Sequence, residues 1–295
     1  MKLALGTVQF GLDYGITNQT GRTSAIEVSR ILNLAADNGI RVLDTAAGYG
    51  DSEKVLGRTL PVKHAFSIVT KTPALRADMT GDERIEHVIG SFRRSLEKLG
   101  QDRVYGVLVH RADDLLSVQG ERLMGALLEL KYQGLTEKVG VSVYNAEQID
   151  AILSRYPVDL VQLPISILDQ RLIASGHLSR LKSAGIEVHG RSVFLQGLLL
   201  MSPLTLPAHF LPMRDTLEEY RNYLESLGLT PLEAALGFVL GLPELDSIIV
   251  GVNTAGQLQE ILAAQAVHVA PQEMARFALA DPAMLDPSQW QLDTR

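Results

Sequence analysis

Short apolar runs alternate with amphipathic stretches along nearly the whole chain, and that alternation limits the fold more than any other feature of the sequence. The runs read as strands are Leu3 to Leu5, Arg41 to Asp44, Ser67 to Lys71, Tyr105 to Val109, Val139 to Val143, Leu160 to Leu163, Glu187 to Arg191 and Ser247 to Val250. Most are continuously apolar, as in parallel strands covered on both faces. Between them lie helical patterns with turn signals at their ends. "TSAIEVSRILNLAADNG" starts at a Ser24 cap and stops at Gly39, and "GDERIEHVIGSFRRSLEKLG" stops at Gly100.

Strand–helix–strand units repeating at about 30 residues imply right-handed parallel crossovers. About eight of them close into a (β/α)8 TIM barrel, here one α/β domain over residues 1–295. The competing fold is an open doubly wound sheet, but no G-x-G-x-x-G turn follows the first strand. The stretch from Gln196 to Thr216, rich in Leu, Pro and Met, has no clean period and reads as a long loop after strand seven. From Ala270 onward the pattern reads as a helix and then a loose end.

Composition removes several classes of function. The chain has no cysteine, so thiolate zinc sites, disulfides and a cysteine nucleophile are excluded. A net charge of -7 argues against non-specific nucleic-acid binding. The start, "MKLALGTVQFG", does not read as a signal peptide, and no run of about 18 apolar residues marks a membrane span. The expectation is a cytoplasmic protein with a small-molecule partner and no membrane or nucleic-acid partner.

In a barrel of this kind the site lies at the C-terminal ends of the strands. Strand two ends in Asp44, with Tyr49 in the following loop. Strands three and four end in Lys71 and His110. Strand five ends in Ser142, with Asn145 close behind. Strand six carries Gln162, and strand seven carries His189 and Arg191. Singly, each has an ordinary explanation: a turn acceptor, a solvated Lys, a surface His. Asp, Lys and His on three successive strand ends, with a Tyr in the first loop, are harder to explain that way.

These residue types suit one chemistry. A phenol titrates near about 10, and an adjacent ammonium stabilises its anion. An acid keeps that ammonium charged and oriented, and a His beside the phenol can hold a carbonyl oxygen. The set can polarise C=O and deliver a proton to it. It contains no nucleophile and no metal, so it needs a hydride donor, meaning a nicotinamide cofactor.

With these residues in place, the chain resembles the aldo-keto reductase superfamily. "LDTAAGYGDSEKVLG" is similar to that family's first signature. "VTK", "LVHR", "KVGVSVYNAEQ", "VQLPIS", "FLQGLLL" and "IIVGVNTAGQLQEIL" follow in the family's order. The resemblance implies an NADP(H)-dependent oxidoreductase reducing an aldehyde or ketone. Tyr49 would be the general acid, Lys71 its tuner, Asp44 the partner of Lys71, and His110 the donor that orients the carbonyl. Ser142 and Gln162 would hold the nicotinamide carboxamide.

Three departures qualify this. Val143 stands where the family often has Asn. Arg191 stands where an aromatic ring commonly stacks on the nicotinamide; its planar guanidinium can stack there, bind another group, or equally serve a plain salt bridge. The C-terminal segment lacks the Lys and Arg that hold a 2′-phosphate, leaving Gly251, Asn253, Thr254, Gln257 and Glu260 for the diphosphate and adenosine. NADP(H) therefore rests on the resemblance, with NAD(H) open.

Polar residues assigned to the substrate end are Gln9, Tyr14, Arg111, Gln196 and His189, which lean towards a hydroxylated or sugar-like carbonyl. Two other readings are a non-catalytic, regulatory nicotinamide-binding protein on the same scaffold, and a sugar-phosphate isomerase or lyase. The first does not need all four polar residues, and the second does not explain Tyr49 with Lys71.

Overall fold

A computed structural model describes residues 1–61, 63–76 and 78–290. Its centre is a closed barrel of eight parallel strands in chain order: β1 Leu3–Gly6, β2 Val42–Asp44, β3 Ser67–Lys71, β4 Val104–Val109, β5 Thr136–Ser142, β6 Leu160–Pro164, β7 Glu187–Arg191 and β8 Ser247–Gly251. β8 pairs with β1 in register Leu3 to Ile248 and Leu5 to Val250, which closes the ring. All eight expected strands are present, with ends shifted by a few residues at most.

The helices around the barrel begin with α1 Ala25–Asp37, α2 Ser52–Thr59, α3 Gly81–Leu99, α4 Ala112–Leu116, α5 Gly120–Tyr132 and α6 Ala146–Leu153. They continue with α7 Arg171–Ala174, α8 His177–Ser183, α9 Arg214–Leu227, α10 Pro231–Leu240 and α11 Ala255–Ala264. Ser24 caps α1 by accepting from Glu27 N–H, as its sequence predicts. Thr80 and Glu83 form a capping box on α3, which ends at Gly100 in the left-handed conformation.

Alternation along each strand divides the core in two. Outward residues such as Leu43, Ile68, Val107, Val139 and Val161 pack under the helices in one large cluster. Inward residues Val69, Leu108 and Leu160 form a small plug, with Val42 and Tyr105 against it. Gly140 makes the plug possible, since a Cβ there would lie 2.0 Å from Leu160 O and 2.8 Å from Leu108 Cδ2. Two residues further along these strands, on the same face, come Lys71, His110 and Gln162. The plug is thus the floor on which the polar groups stand.

Two expectations change. The segment after β7 is not an open loop. It runs through 3-10 turns at Leu195–Leu200, Pro203–Thr205 and Ala208–Met213, and α9 begins at Arg214. Pro203, Pro207 and Pro212 withdraw N–H donors and fix φ, so the chain turns in short pieces. Leu195, Leu198, Phe210 and Met213 are buried, which is why the hydrophobic pattern has no single period.

The tail is also not one helix. It forms a 3-10 segment at Pro271–Phe277, a short helix at Pro282–Leu285 and a 3-10 turn at Pro287–Gln289, each begun by a proline. It is tied back to the barrel by Gln170 Nε2 donating to Met274 O at 2.8 Å and Leu279 N–H donating to Leu168 O at 2.8 Å. The expected loose end falls on residues 291–295, outside the described residues, as does that last part of the 1–295 domain.

Candidate active site

Asp44, Lys71 and Tyr49 meet at the C-terminal mouth of the barrel. Lys71 Nζ donates to Asp44 Oδ2 at 2.6 Å, to Thr45 O at 3.1 Å and to the Tyr49 hydroxyl oxygen at 3.3 Å. All three ammonium hydrogens are thereby used. The other Asp44 oxygen accepts from Gln162 Nε2 at 2.7 Å. Burial opposes charge on Lys71, but Asp44 and Tyr49 outweigh it and hold the ammonium above its ordinary value.

The Tyr49 ring stands edge-on to His110, with centroids 5.8 Å apart and planes at 82°. Burial, reinforced by the Lys71 ammonium, pushes His110 down to about 4. At neutral pH it is an uncharged imidazole able to donate one N–H.

The turn carrying Tyr49 is fixed from three sides. Ala47 N–H donates to Lys71 O at 3.2 Å, and Tyr49 N–H donates to Ala46 O at 3.0 Å. Ser52 Oγ donates to Thr7 O at 2.8 Å inside a sealed cluster with the Thr7 and Thr45 hydroxyls. Glu53 accepts from Thr70 Oγ1 at 2.7 Å, which ties α2 to β3. The "DSE" of the motif is therefore structural in its last two residues. Of the two glycines that flank Tyr49, Gly50 has φ +56, and a Cβ there would lie 2.5 Å from Gly11 O. Gly11 in turn has no room for a Cβ, which would lie 1.9 Å from Tyr49 O, whereas a Cβ on Gly48 meets nothing among the described residues within 4 Å. The close approach of the Gly11 and Gly50 backbones sets the turn.

A groove of about 420 Å³ runs across this mouth. Its wall includes Asp44, Tyr49, His110, Ser142, Gln162, Arg191, Gly251, Asn253, Gln257 and Glu260, together with Gln9, Tyr14 and Gln196. Gly251 leaves space for the Gln9 amide, whose Nε2 would lie 2.5 Å from a Cβ there. Gln9 Oε1 is buried with no partner among the described residues. The segments after β1 and β7 meet at this wall. Ile16 N–H donates to Gln196 O at 3.1 Å, and Thr17 Oγ1 would lie 2.4 Å from a Cβ on Gly197. Ser192, Leu195 and Gln196 all have positive φ, an uncommon backbone for residues with side chains.

The aldo/keto reductase family matches residues 2–281, which is nearly the whole chain. The chain belongs to the aldo/keto reductase family. Several members resemble this one over most of their length. An NADH-specific methylglyoxal reductase of Escherichia coli is 25% identical over 78% of this chain and 80% of its own. L-galactose dehydrogenase of Arabidopsis thaliana is 28% identical over 77% of this chain and 74% of its own. The match to an aldo-keto reductase of Mycolicibacterium vanbaalenii, 33% identical, covers 45% of this chain, so the chain spans about half (46%) of that relative's length. The holo form of a Bacillus halodurans aldo-keto reductase superposes with a TM-score of 0.75 over 98% of this chain and 95% of its own, at 21% identity, which shows a shared fold.

Within this aldo-keto reductase some sequence-derived candidates lie elsewhere. His189 is fully buried away from the groove, and its Nε2–H donates to Glu187 Oε1 at 2.6 Å. Glu187 opens β7, at the opposite end of the barrel, where it also accepts from Tyr105 at 2.7 Å and pairs with Lys138. Arg111 is exposed at the head of α4 and is not part of the groove wall. Thr254 is also outside the wall and caps α11 by accepting from Gln257 N–H.

Tyr144 is a groove residue that the sequence reading missed. The Arg191 guanidinium lies 4.3 Å from its ring centroid and donates to Val143 O at 3.1 Å. The signal was available, since Tyr144 continues the inward side of β5 two positions beyond Ser142.

Proposed function

We propose that the protein is a nicotinamide-dependent oxidoreductase that reduces a small aldehyde or ketone, with Tyr49 as the proton donor. The observation that carries this reading is the Lys71 ammonium held between Asp44 and the Tyr49 hydroxyl, with neutral His110 beside it.

The residues lining the groove suit a dinucleotide. The Ser142 hydroxyl and Gln162 Oε1 line it without a hydrogen-bond partner among the described residues, as does the orphaned Gln9 Oε1. Ser142 and Gln162 would hold the carboxamide. Arg191, propped on Tyr144, would lie against the nicotinamide. Gly251, Asn253, Gln257 and Glu260 would line the diphosphate and adenosine end, with Thr254 shaping the turn before it. When bound, the cofactor supplies the hydride.

The chain supplies the proton and the charge stabilisation. The Tyr49 oxygen accepts from Lys71, so its own O–H is free to point into the groove at a carbonyl oxygen. His110 donates its N–H to the same oxygen and orients it. As the Tyr49 proton leaves, the Lys71 ammonium stabilises the charge left on the phenol oxygen, and Asp44 keeps that ammonium in place. The names of the E. coli and Arabidopsis relatives, a reductase and a sugar dehydrogenase, support small oxygenated substrates. Tyr14 and Gln196 in the wall favour a hydroxylated, sugar-like carbonyl.

The test is Tyr49→Phe assayed against a panel of aldehydes and hydroxylated ketones. Turnover should fall by about 10²- to 10⁴-fold, the usual worth of a positioned acid, with cofactor affinity unchanged. Turnover near that of the unmodified protein would rule out Tyr49 as the donor.

A further inference from the structure

Three barrel strands carry a cation: Lys71 on β3, Lys138 on β5 and Arg191 on β7. Two of them have a counter-charge from another strand. Lys71 is paired with Asp44, and Lys138 with Glu187. Among the described residues Arg191 forms no ion pair. It donates only to neutral oxygens, Val143 O at 3.1 Å and Ser192 Oγ at 3.2 Å. A guanidinium has five N–H donors, so with two used, three are left over. A half-buried cation with no counter-charge is costly unless something brings the opposite charge to it.

The surroundings of Arg191 are those of the carbonyl end of the groove. It shares the wall with Tyr49, His110 and Tyr14. Burial and Lys71 set most of the low His110 value, and the charge of Arg191 adds to them. Burial, then Tyr49, pushes the Tyr14 hydroxyl up to about 12, with Arg191 pulling the other way. The guanidinium is therefore near both residues, at the carbonyl end rather than the α11 end.

Its neighbours are arranged to hold it and not to neutralise it. The Tyr144 ring covers one face of the guanidinium, 4.3 Å from its centroid. Tyr14 and Tyr144 line the same wall, and neither hydroxyl has a hydrogen-bond partner among the described residues. The acids of the wall do not serve Arg191 either. Asp44 is taken by Lys71 and Gln162, and Glu260 stands at the α11 end without an ion pair among the described residues.

Resting on the reductase reading above, we infer that the substrate is an oxo acid, an aldehyde or ketone that also carries a carboxylate, and that Arg191 receives that carboxylate while Tyr49 and His110 hold the carbonyl. A carboxylate takes charge-assisted hydrogen bonds from the free N–H groups and supplies the charge that Arg191 lacks. Tyr14, a neutral phenol at ordinary pH, adds an O–H donor to the same group. Arg191 is then a specificity residue, favouring the acid over its neutral relatives.

The experiment is steady-state reduction by the full chain of glyoxylate and of succinate semialdehyde, each against its methyl ester, with NADH and NADPH both supplied. The acid should be favoured in kcat/KM by at least about tenfold, chiefly through KM. Any effect on the cofactor cancels in the acid-to-ester ratio. That ratio should fall to near one in Arg191→Gln, be partly kept in Arg191→Lys and narrow in Tyr14→Phe. Equal use of acid and ester by the unmodified protein, or preference for the ester, would overturn the inference and leave the reductase reading standing. So would a ratio indifferent to Arg191→Gln, which would assign the guanidinium to the cofactor. Reduction of neutral aldehydes but of neither acid would also overturn the inference alone. Reduction of no carbonyl compound at all would remove both readings.

Discussion

Asp44 and Lys71 form an ion pair 2.6 Å long with side chains only 5% and 1% exposed. A pair sealed this well depends on both partners, because either one left alone is a buried, uncompensated charge. Lys71→Met should therefore do more than abolish turnover. It should destabilise the barrel by about 3–5 kcal/mol, measured by urea unfolding. The double variant Asp44→Asn, Lys71→Met should recover part of that loss. A single variant as stable as the parent would show that the pair does not support the fold.

His110 gives a pH prediction. Its folded value of about 4 lies below the ordinary 6.5, with burial the main cause and Lys71 the next. Between those values the unfolded chain binds the proton and the folded protein does not. Stability contributed here is thus complete above pH 6.5 and falls as pH drops towards 4. An NMR titration of the imidazole should show a midpoint near 4, and the acid limb of kcat/KM from this residue should fall in the same region. A midpoint at or above the free-histidine value would remove the neutral-donor role.

Glu187 governs a second acid transition at the other end of the barrel. Burial raises its value, but hydrogen bonds from His189, Lys138 and Tyr105 overcome this and bring it down to about 2. The folded value is depressed from 4.5, so its contribution is present above 4.5 and is lost as pH falls towards 2. Glu187→Gln should be less stable than the parent at neutral pH, and denaturant midpoints of the two should converge as pH falls through that window. A constant gap would place the stabilisation elsewhere.

Gly11 tests how the Tyr49 turn is held. Its φ of -121° suits alanine, so the obstacle is the 1.9 Å approach of a Cβ to Tyr49 O. Gly11→Ala should push the phenol out of place and lower kcat by about 100-fold, the scale of a misplacement near 1 Å. Far-UV circular dichroism should be unchanged. Gly48→Ala, with nothing among the described residues within 4 Å of its Cβ, is the matched control and should turn over normally.

The barrel was legible because its strands are buried on both faces. A continuous apolar run such as "SIIVG" can hardly be anything else between two amphipathic helices. The gathering of Asp44, Tyr49, Lys71 and His110 at one mouth of the barrel was legible because placing strand ends and the loops after them needs only strand boundaries, not contacts.

His189 went astray for a geometric reason. Strand alternation puts Glu187, His189 and Arg191 on one face but says nothing of height, and only Arg191 reaches the groove. The hydrogen bond from Ala255 N–H, at the start of α11, to Glu27 could not be read at all, since it joins residues 228 positions apart. The proline-broken tail was misread because its buried residues Met274, Phe277 and Leu285 follow no helical period, and Phe277 packs on Tyr220 of α9.

The hydrogen bond from Ile16 to Gln196 joins the segments after β1 and β7 where both line the groove. Parting one such bond costs only about 1 kcal/mol, but the strained Ser192–Gln196 backbone must reorganise with it. A dinucleotide bound beneath this join would have to part it on the way in and again on the way out. Exchange of that molecule, rather than chemistry, would then set the clock of the catalytic cycle. Turnover should slow in proportion to solvent viscosity, and deuterium on the transferred position of the cofactor should leave it nearly unchanged.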